Sequence, residues 1–241
     1  MHFVSPKARV KGFLEGENVV LGSSIIGADS LIGRNVIVGY PVRKSLQSFK
    51  FSKDFGIEKL DEVSRGTKIG RNCIIRSGTV IYEDASIGNQ VETGHNVLIR
   101  EGSVIGDKTR IGTSTQLDGT VKIGRNVSIQ SNVYLPHLTV IEDNAFLAPC
   151  VVITNDPYPP SQRRIGITVE KEAVIGANAI IIARVRIGEG SVVSAGAIVT
   201  KDVPPRKVVM GAPARVYATR EEYDIKKAKW ERNEEKRHGV R

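Results

Sequence analysis

Residues 69–92 read IGRNCI-IRSGTV-IYEDAS-IGNQVE, and this six-residue spacing continues without a slip to about Asp156. The first place of each hexad is Ile or Leu except at Thr93, and the fifth place is always small or β-branched. The second place is often glycine. The first places are Ile69, Ile75, Ile81, Ile87, Thr93, Ile99, Ile105, Ile111, Leu117, Ile123, Ile129, Leu135, Ile141, Leu147 and Ile153.

A period of six fits neither an amphipathic helix, which repeats every 3.6 residues, nor a simple alternating strand. It is typical of a β-solenoid, in which each hexad supplies a short strand and a corner. The large aliphatic and the small residue of each hexad would point into a narrow core. Gly, Asn and Asp at the corners tolerate unusual backbone angles. The sequence therefore predicts an all-β solenoid whose coils stack at roughly 4.8 Å.

The order of an aliphatic residue, Gly, two variable places, a small residue and a further variable place resembles that of the hexapeptide-repeat acyltransferases. The resemblance extends from about Leu14 to Arg215. It implies a left-handed parallel β-helix with three hexads per coil, which normally assembles as a homotrimer. The left hand rests on the resemblance alone, because the general crossover rule favours the right hand.

Two breaks interrupt the repeat, because Val38 to Ile69 and Ile153 to Val169 are not separated by a multiple of six residues. We expect loop excursions there, over about 40–68 and 155–168. The first carries Arg43, Lys44, Lys50 and Lys53. These side chains would either bind an anion or lie in solvent on an ordinary surface loop. We expect a β-helix domain over residues 1–215 and a charged C-terminal helix over 216–241, with a capping box at Thr219 and Glu222.

Composition narrows the range of partners. The formal net charge of +9 and the pI near 9.6 favour anionic ligands or surfaces. No helix-turn-helix, zinc finger or aromatic-studded RNA motif is visible, so direct binding of nucleic acid is not expected. The start of the chain has no apolar run of signal-peptide length, and no stretch approaches a membrane span. We therefore expect a cytoplasmic protein with no membrane partner.

The block IGANAIIIARVRIGEGSVVSAGAIVTKDVPPRKVVMGAPAR over residues 175–215 resembles the acyl-CoA-binding end of these transferases. The resemblance implies acetyl-CoA as the co-substrate and no metal requirement. Small corner residues would let the pantetheine amides reach backbone N–H groups, and basic side chains would meet the CoA phosphates. The alternative is that Ala and Gly simply suit tight corners. The expected cofactor-binding residues are Ala177, Ala183, Ala195, Gly196, Lys201, Arg206 and Arg215.

The stretches IQSNVYLP (129–136) and FLAPCVVITN (146–155) resemble those of the nucleotide-sugar N-acetyltransferases. These carry an asparagine where sugar O-acetyltransferases have a Thr-His-Pro-like segment with the catalytic base. The resemblance implies that Asn155 orients an amine or the thioester carbonyl, because a neutral amine needs orientation more than a base. The alternative is an asparagine chosen for a left-handed corner.

Two histidines are further catalytic candidates. His95 lies near a corner in the hexad that begins with Thr93, and His137 precedes Asn155 by one coil. A corner hydrogen bond is the structural alternative for either ring. We expect the acceptor to contact Asn96, Asn132 and Asp156.

These observations favour an acetyl-CoA-dependent N-acetyltransferase that acts on an amino sugar, carried on a nucleotide, at a cleft between subunits. An O-acetyltransferase with His95 or His137 as base is the nearest alternative. A non-enzymatic β-helix and a γ-carbonic-anhydrase-like protein are others. The last is disfavoured because His95 and His137, seven hexads apart, fall on different corners and a zinc site needs three histidines.

Overall fold

The computed structural model describes residues 1–47, 49 and 56–238, with side chains of the final helix described as far as Arg232. Lys50 and Lys53 of the first excursion lie outside the described residues.

The described chain winds as a left-handed parallel β-helix with three flat faces, which confirms the predicted fold. Face I consists of β1 (Phe3–Val4), β4 (Val19–Val20), β7 (Ile37–Tyr40), β10 (Val80–Tyr82), β13 (Leu98–Ile99), β16 (Gln116–Leu117), β19 (Tyr134–Leu135), β22 (Val152–Ile153), β25 (Ile180–Ile181) and β28 (Ile198–Val199). Face II consists of β2 (Arg9–Val10), β5 (Ile25–Ile26), β8 (Lys68–Ile69), β11 (Ser86–Ile87), β14 (Val104–Ile105), β17 (Lys122–Ile123), β20 (Val140–Ile141), β23 (Thr168–Val169) and β26 (Arg186–Ile187).

Face III closes the prism and carries the C-terminal end. It consists of β3 (Phe13–Leu14), β6 (Leu31–Ile32), β9 (Ile74–Ile75), β12 (Glu92–Thr93), β15 (Arg110–Ile111), β18 (Ser128–Ile129), β21 (Phe146–Leu147), β24 (Val174–Ile175), β27 (Val192–Val193), β29 (Lys207–Met210) and β30 (Arg215–Thr219). Only the β29–β30 pair is antiparallel among the described strands. The helices are α1 (Arg43–Leu46), α2 (Ile57–Val63) and α3 (Arg220–His238). None of these helices is both long and apolar enough to cross a membrane.

From β4 to β28 each strand buries its first-place residue, and residues 18 apart lie in register on successive coils, as Leu117 does with Leu135. The fifth-place residues complete the core, which confirms the predicted inward pair of each hexad. Thr93 is fully buried like its aliphatic counterparts, and its hydroxyl accepts the N–H of Arg76 at 3.0 Å.

The corners impose two backbone requirements. The fourth place of most hexads has a positive φ, which explains the asparagines there, such as Asn72 and Asn126. Second-place glycines are needed for a different reason. A Cβ on Gly70 would lie 2.5 Å from the carbonyl oxygen of Gly88 on the next coil. Stacked corners therefore approach too closely for a side chain at these positions.

Both excursions leave the prism between face I and face II. Val38 lies on face I and Ile69 on face II, as do Ile153 and Val169. Each insertion is therefore added to an ordinary corner, and the stacking continues beyond it. The first strand begins at Phe3, two strands before the strand that holds the predicted Leu14. The predicted division into domains stays a prediction.

A buried carboxylate ties the first excursion to the prism. Glu83 is fully buried, and its two oxygens accept the N–H groups of Val42 at 2.9 Å and Arg65 at 2.8 Å. The two ends of the excursion are thus joined through one side chain from the next coil.

Two buried hydroxyl groups of the core should differ in how their removal changes the free energy of unfolding. The Thr115 hydroxyl donates to the carbonyl of Gln130 at 2.9 Å, whereas the buried Ser103 hydroxyl has no partner among the described residues. We expect Thr115→Ala to cost about 1–2 kcal/mol of unfolding free energy. Ser103→Ala should be neutral or stabilising by up to about 1 kcal/mol, because it removes an unsatisfied polar group. Chemical denaturation of both variants checks this, and equal losses would contradict it.

Candidate functional site

The edge between faces I and II, named edge I–II, differs in chemistry from the other two. From the fourth to the eighth coil its second places hold Tyr82, Arg100, Asp118, Pro136 and Thr154, whereas Gly recurs at second places on the other edges. Side chains therefore project from edge I–II at positions where, on the other edges, backbone packs against backbone.

His137 lies on edge I–II beside a carboxylate from the preceding coil. Its Nδ1 is 3.2 Å from Oδ2 of Asp118, although the ring is not aligned for a good hydrogen bond. The Tyr134 hydroxyl donates to the same Oδ2 at 3.2 Å. Burial, followed by the negative charge of Asp118, raises the pKa of Tyr134, so the phenol stays a donor. An imidazole backed by a carboxylate is suited to accept a proton, and apo geometry of this kind is often loose.

Arg100 completes the cluster from the other side of Asp118. Its Nη1 donates to Oδ1 of Asp118 at 2.6 Å, and its Nη2 donates to Glu101 at 2.9 Å. Its guanidinium also lies 5.6 Å from the ring centroid of Tyr82. Burial disfavours its charge, but the bonds to Asp118 and Glu101 outweigh this and raise the pKa of Arg100.

Asn155 follows His137 by one coil on the same edge, as predicted. It is not among the residues with a positive φ, which excludes the alternative that it was chosen for a left-handed corner. Asp156 begins the second excursion, and its carboxylate accepts the N–H groups of Tyr158 at 2.9 Å and Ser161 at 2.7 Å. The Ser161 N–H is the main cause of the lowered pKa of Asp156. The Asp156 carboxylate thus orders the loop, and fewer of its lone pairs remain to bind an acceptor substrate.

His95, Asn96 and Asn132 lie on a different edge, named edge III–I. Asn96 and Asn132 have φ of 55° and 59°, so their backbone gives a sufficient reason for asparagine. His95 is exposed in a groove of about 400 Å³ with Arg76 and Arg110. One chain therefore does not bring His95 and His137 together. Within the described residues, no three His, Cys, Asp or Glu side chains converge as metal ligands.

Part of the predicted CoA set gathers at the C-terminal end of edge I–II. A cleft of about 560 Å³ is lined by Pro157, Ala183 and Lys201, and an adjoining cleft of about 280 Å³ by Lys201 and Arg215. The Ala183 N–H is bonded to the Thr154 hydroxyl at 2.9 Å, so Ala183 supplies room but no donor. The second excursion closes one side of the first cleft through Pro157.

Ala177, Ala195 and Gly196 lie instead on edge III–I, where Ala177 and Ala195 stack on successive coils. At other corners, the third-place N–H is capped by the side chain 18 residues later, as Asp107 caps Asn89 at 2.7 Å. Ala195 has no acceptor to offer Ala177, and within the described chain neither alanine N–H has a partner. A Cβ on Gly196 would meet nothing within 4 Å. This edge thus offers free donors and open space, which fits an extended amide chain.

Arg206 lies apart from both groups, on the edge between faces II and III. Its Nε donates to Glu221 of α3 at 2.8 Å. A backbone hydrogen bond at the helix start and the guanidinium of Arg206 lower the pKa of Glu221 to about 2. Within one chain the structure does not bring Arg206 to Lys201 and Arg215.

Asp118 and Arg100 are the site residues that the sequence reasoning missed. A signal was present, because Asp118 occupies a second place one coil below the hexad of His137, where Gly is common on other edges. Reading every third hexad as one edge would have collected Tyr82, Arg100 and Asp118.

Family models of hexapeptide repeats match the chain on both sides of the second excursion. The bacterial transferase hexapeptide model (six repeats) matches residues 66–101, 102–137 and 120–155. The hexapeptide repeat model of succinyl-transferase matches residues 166–201.

Among curated relatives, 2,3,4,5-tetrahydropyridine-2,6-dicarboxylate N-acetyltransferase of Staphylococcus aureus is 44% identical over 73 residues. The match spans 30% of this chain and 30% of that relative. Similar solved structures include a hexapeptide-repeat-containing acetyltransferase of Vibrio cholerae complexed with acetyl coenzyme A, with a TM-score of 0.45, 28% identity and coverage of 49% of this chain and 70% of that one.

WeeI of Acinetobacter baumannii has a TM-score of 0.40 and 30% identity, and covers 48% of this chain and 55% of that one. UDP-N-acetylglucosamine O-acyltransferase of Moraxella catarrhalis has a TM-score of 0.49 and 20% identity, and covers 93% of this chain and 77% of that one. With its repeated hexads, its three-faced coil and the matching repeat models, the chain belongs to the bacterial transferase hexapeptide-repeat family.

Proposed function

We propose that this protein transfers the acetyl group of acetyl-CoA to the amino group of an amino sugar carried on a nucleotide. The observation that carries the proposal is the alignment of a histidine–aspartate pair with a basic cleft on one edge. His137, Asn155, Ala183 and Lys201 occupy successive coils of edge I–II. The N-acetyltransferase relative supports an amine as acceptor, although the chain spans only about a third of that relative's length.

The spacing along this edge supports binding of an extended cofactor such as acetyl-CoA. Lys201 lies three coils from His137, roughly 14 Å along the prism at the spacing of stacked strands. Lys201 and Arg215 would hold the CoA phosphates, and the thioester would then lie near Asn155 and His137. Arg206, on its separate edge, would have to act through the neighbouring subunit or not at all.

The reaction needs one proton acceptor and one hydrogen-bond donor. The amine nitrogen attacks the thioester carbonyl carbon, the C–S bond breaks, and the sulfur leaves as CoA thiolate. The amine nitrogen loses a proton to His137, and that proton then neutralises the thiolate to give CoA thiol and the N-acetyl product. The Asn155 amide would donate to the carbonyl oxygen as negative charge develops there.

A homotrimer would complete this site. The outward residues of face I are apolar on every strand except β16, where Gln116 stands, whereas the other faces carry charges such as Lys122 and Arg110. Packing face I against a second copy would bring edge III–I of one subunit to edge I–II of the next. The free N–H groups of Ala177 and Ala195 would then face the cleft of Lys201, and Asn96, Asn132 and His95 would face the acceptor.

A charge on face I should disrupt this assembly. Leu98 points outward on β13, so we expect Leu98→Glu to yield monomers, because a buried unpaired carboxylate is costly. Val104→Glu, at the same hexad place on face II, is the matched control and should keep the parent mass. Light scattering coupled to size-exclusion chromatography measures both. A trimeric Leu98→Glu variant would contradict the use of face I.

Transfer to a sugar hydroxyl is the second candidate, and the His137–Asp118 pair favours it specifically. A hydroxyl must lose its proton as it attacks, so it requires a base more than an amine does. A non-enzymatic β-helix or a carbonic-anhydrase-like protein would not use this pair. The cytoplasmic location remains a prediction.

The test is release of CoA thiol with matched acceptors. UDP- and dTDP-linked amino sugars are compared with the same nucleotide sugars bearing a hydroxyl at that carbon. The proposal expects turnover of the amine alone. Turnover of the hydroxyl alone would establish the second candidate, and no turnover with calorimetry showing no acetyl-CoA binding would overturn both.

A further inference from the structure

Arg100 is bound from two sides within edge I–II. Its side chain is 30% exposed, and its Nη1 donates to Oδ1 of Asp118 at 2.6 Å. Its Nε and Nη2 donate to the two oxygens of Glu101 at 3.1 and 2.9 Å. The Tyr82 ring packs against the guanidinium. A planar fork held in this way has little freedom to turn.

The two oxygens of Asp118 are consequently assigned to different partners. Oδ1 accepts from Arg100, while Oδ2 lies 3.2 Å from both the Tyr134 hydroxyl and His137 Nδ1. Rotation of the carboxylate would break the bond to Arg100. The guanidinium therefore fixes which oxygen the imidazole meets.

We propose that Arg100 is a positioning residue that holds Asp118 toward His137 and offsets the negative charge that this carboxylate presents to the imidazole. The inference rests on the proposed role of His137 as base. Asp118 faces His137 directly, Arg100 and Tyr134 contact that carboxylate, Glu101 pairs with Arg100, and the charge of Arg164 in the second excursion acts on Tyr134. Without Arg100, an unbalanced Asp118 would stabilise the imidazolium.

The chain contains a matched arginine–aspartate pair away from this site. Arg125 donates to Asp143, also 18 residues later, through its Nε at 3.1 Å and its Nη2 at 3.0 Å. This pair lies on the edge between faces II and III and is more exposed. Arg125→Met therefore removes the same kind of ion pair without touching the Asp118–His137 pair.

The experiment compares Arg100→Met, Arg100→Lys and Arg125→Met in the full chain. The first readout is the pH titration of the His137 imidazole Cε1 proton resonance by NMR, assigned by its loss in His137→Gln. For Arg100→Met we expect the midpoint to rise by about one pH unit. The lysine variant keeps the charge and should stay near the parent, as should Arg125→Met.

Kinetics supply the second readout. Arg100→Met should lower kcat about tenfold near neutral pH, leave KM for acetyl-CoA unchanged and move the acidic limb of the rate profile upward. A midpoint in Arg100→Met equal to that in Arg125→Met would overturn the positioning role. If no acceptor is acetylated, the proposed function fails, and the NMR titration still decides the positioning role.

Discussion

Replacing His137 by glutamine is expected to lower kcat about a thousandfold, because general-base catalysis typically contributes a factor of about 10²–10⁴. The imidazole lies 3.2 Å from Asp118, and glutamine fills similar space but cannot accept the proton. KM for acetyl-CoA should change little, since the proposed phosphate contact at Lys201 lies three coils away. Thiol release measured over a range of acetyl-CoA concentrations checks both parameters.

The controls use the other candidate residues. His95→Gln, on edge III–I, should retain activity within about threefold if His95 only binds the acceptor, whereas a loss as large as that of His137→Gln would transfer the role of base to His95. From the sequence, we expect Asn155 to have an orienting role and a histidine base to be less important for an amine than for a hydroxyl. The carboxylate behind His137 changes that expectation, because it supports proton transfer from an amine as well as from a hydroxyl.

Replacing Ala195 by aspartate should raise the Kd of acetyl-CoA about a hundredfold. A carboxylate there would capture the Ala177 N–H, as Asp107 captures that of Asn89 at 2.7 Å. The cofactor would lose a donor and meet a like charge near its phosphates, and each effect costs on the order of 1 kcal/mol or more. Isothermal titration calorimetry measures the affinity.

The same substitution should not destabilise the fold, which separates it from ordinary damage. Ala195 is exposed, and the new side chain copies a contact that the prism already uses. Asp107→Ala is the reciprocal control. It should cost about 1 kcal/mol of unfolding free energy and leave acetyl-CoA binding intact. Parent-like affinity in Ala195→Asp would mean that acetyl-CoA does not use this edge.

The coil could be predicted because every hexad repeats the same local requirement. Ile111 and Thr115, for example, show an inward pair within five residues, and the structure buries both. The left-handed corners were visible in the same way, as at Asn126. The breaks in register indicate where the repeat is interrupted, but they do not show that both interruptions fall on edge I–II. Because an insertion breaks the six-residue count, the sequence does not show which edge the following hexads occupy.

The candidate site was predicted only in part. His137, Asn155 and Lys201 were identified, and they share one edge. Ala183 and Ala195 belong to the same expected cofactor-binding set, but the two lie on different edges of one chain. Counting hexads gives the edge of each residue once the fold is known, yet it does not say which edges meet in an assembly.

Residue order was enough to specify the three-sided coil, since burial of one large and one small side chain per hexad is a local and repeated condition. Residue order did not specify the contacts of Asp118 with His137 and Arg100. It depends on side chains from different coils turning toward one another across stacked corners, and the repeat constrains the backbone there but not the direction of those side chains. Only the packing of side chains along this edge determines which carboxylate contacts which imidazole.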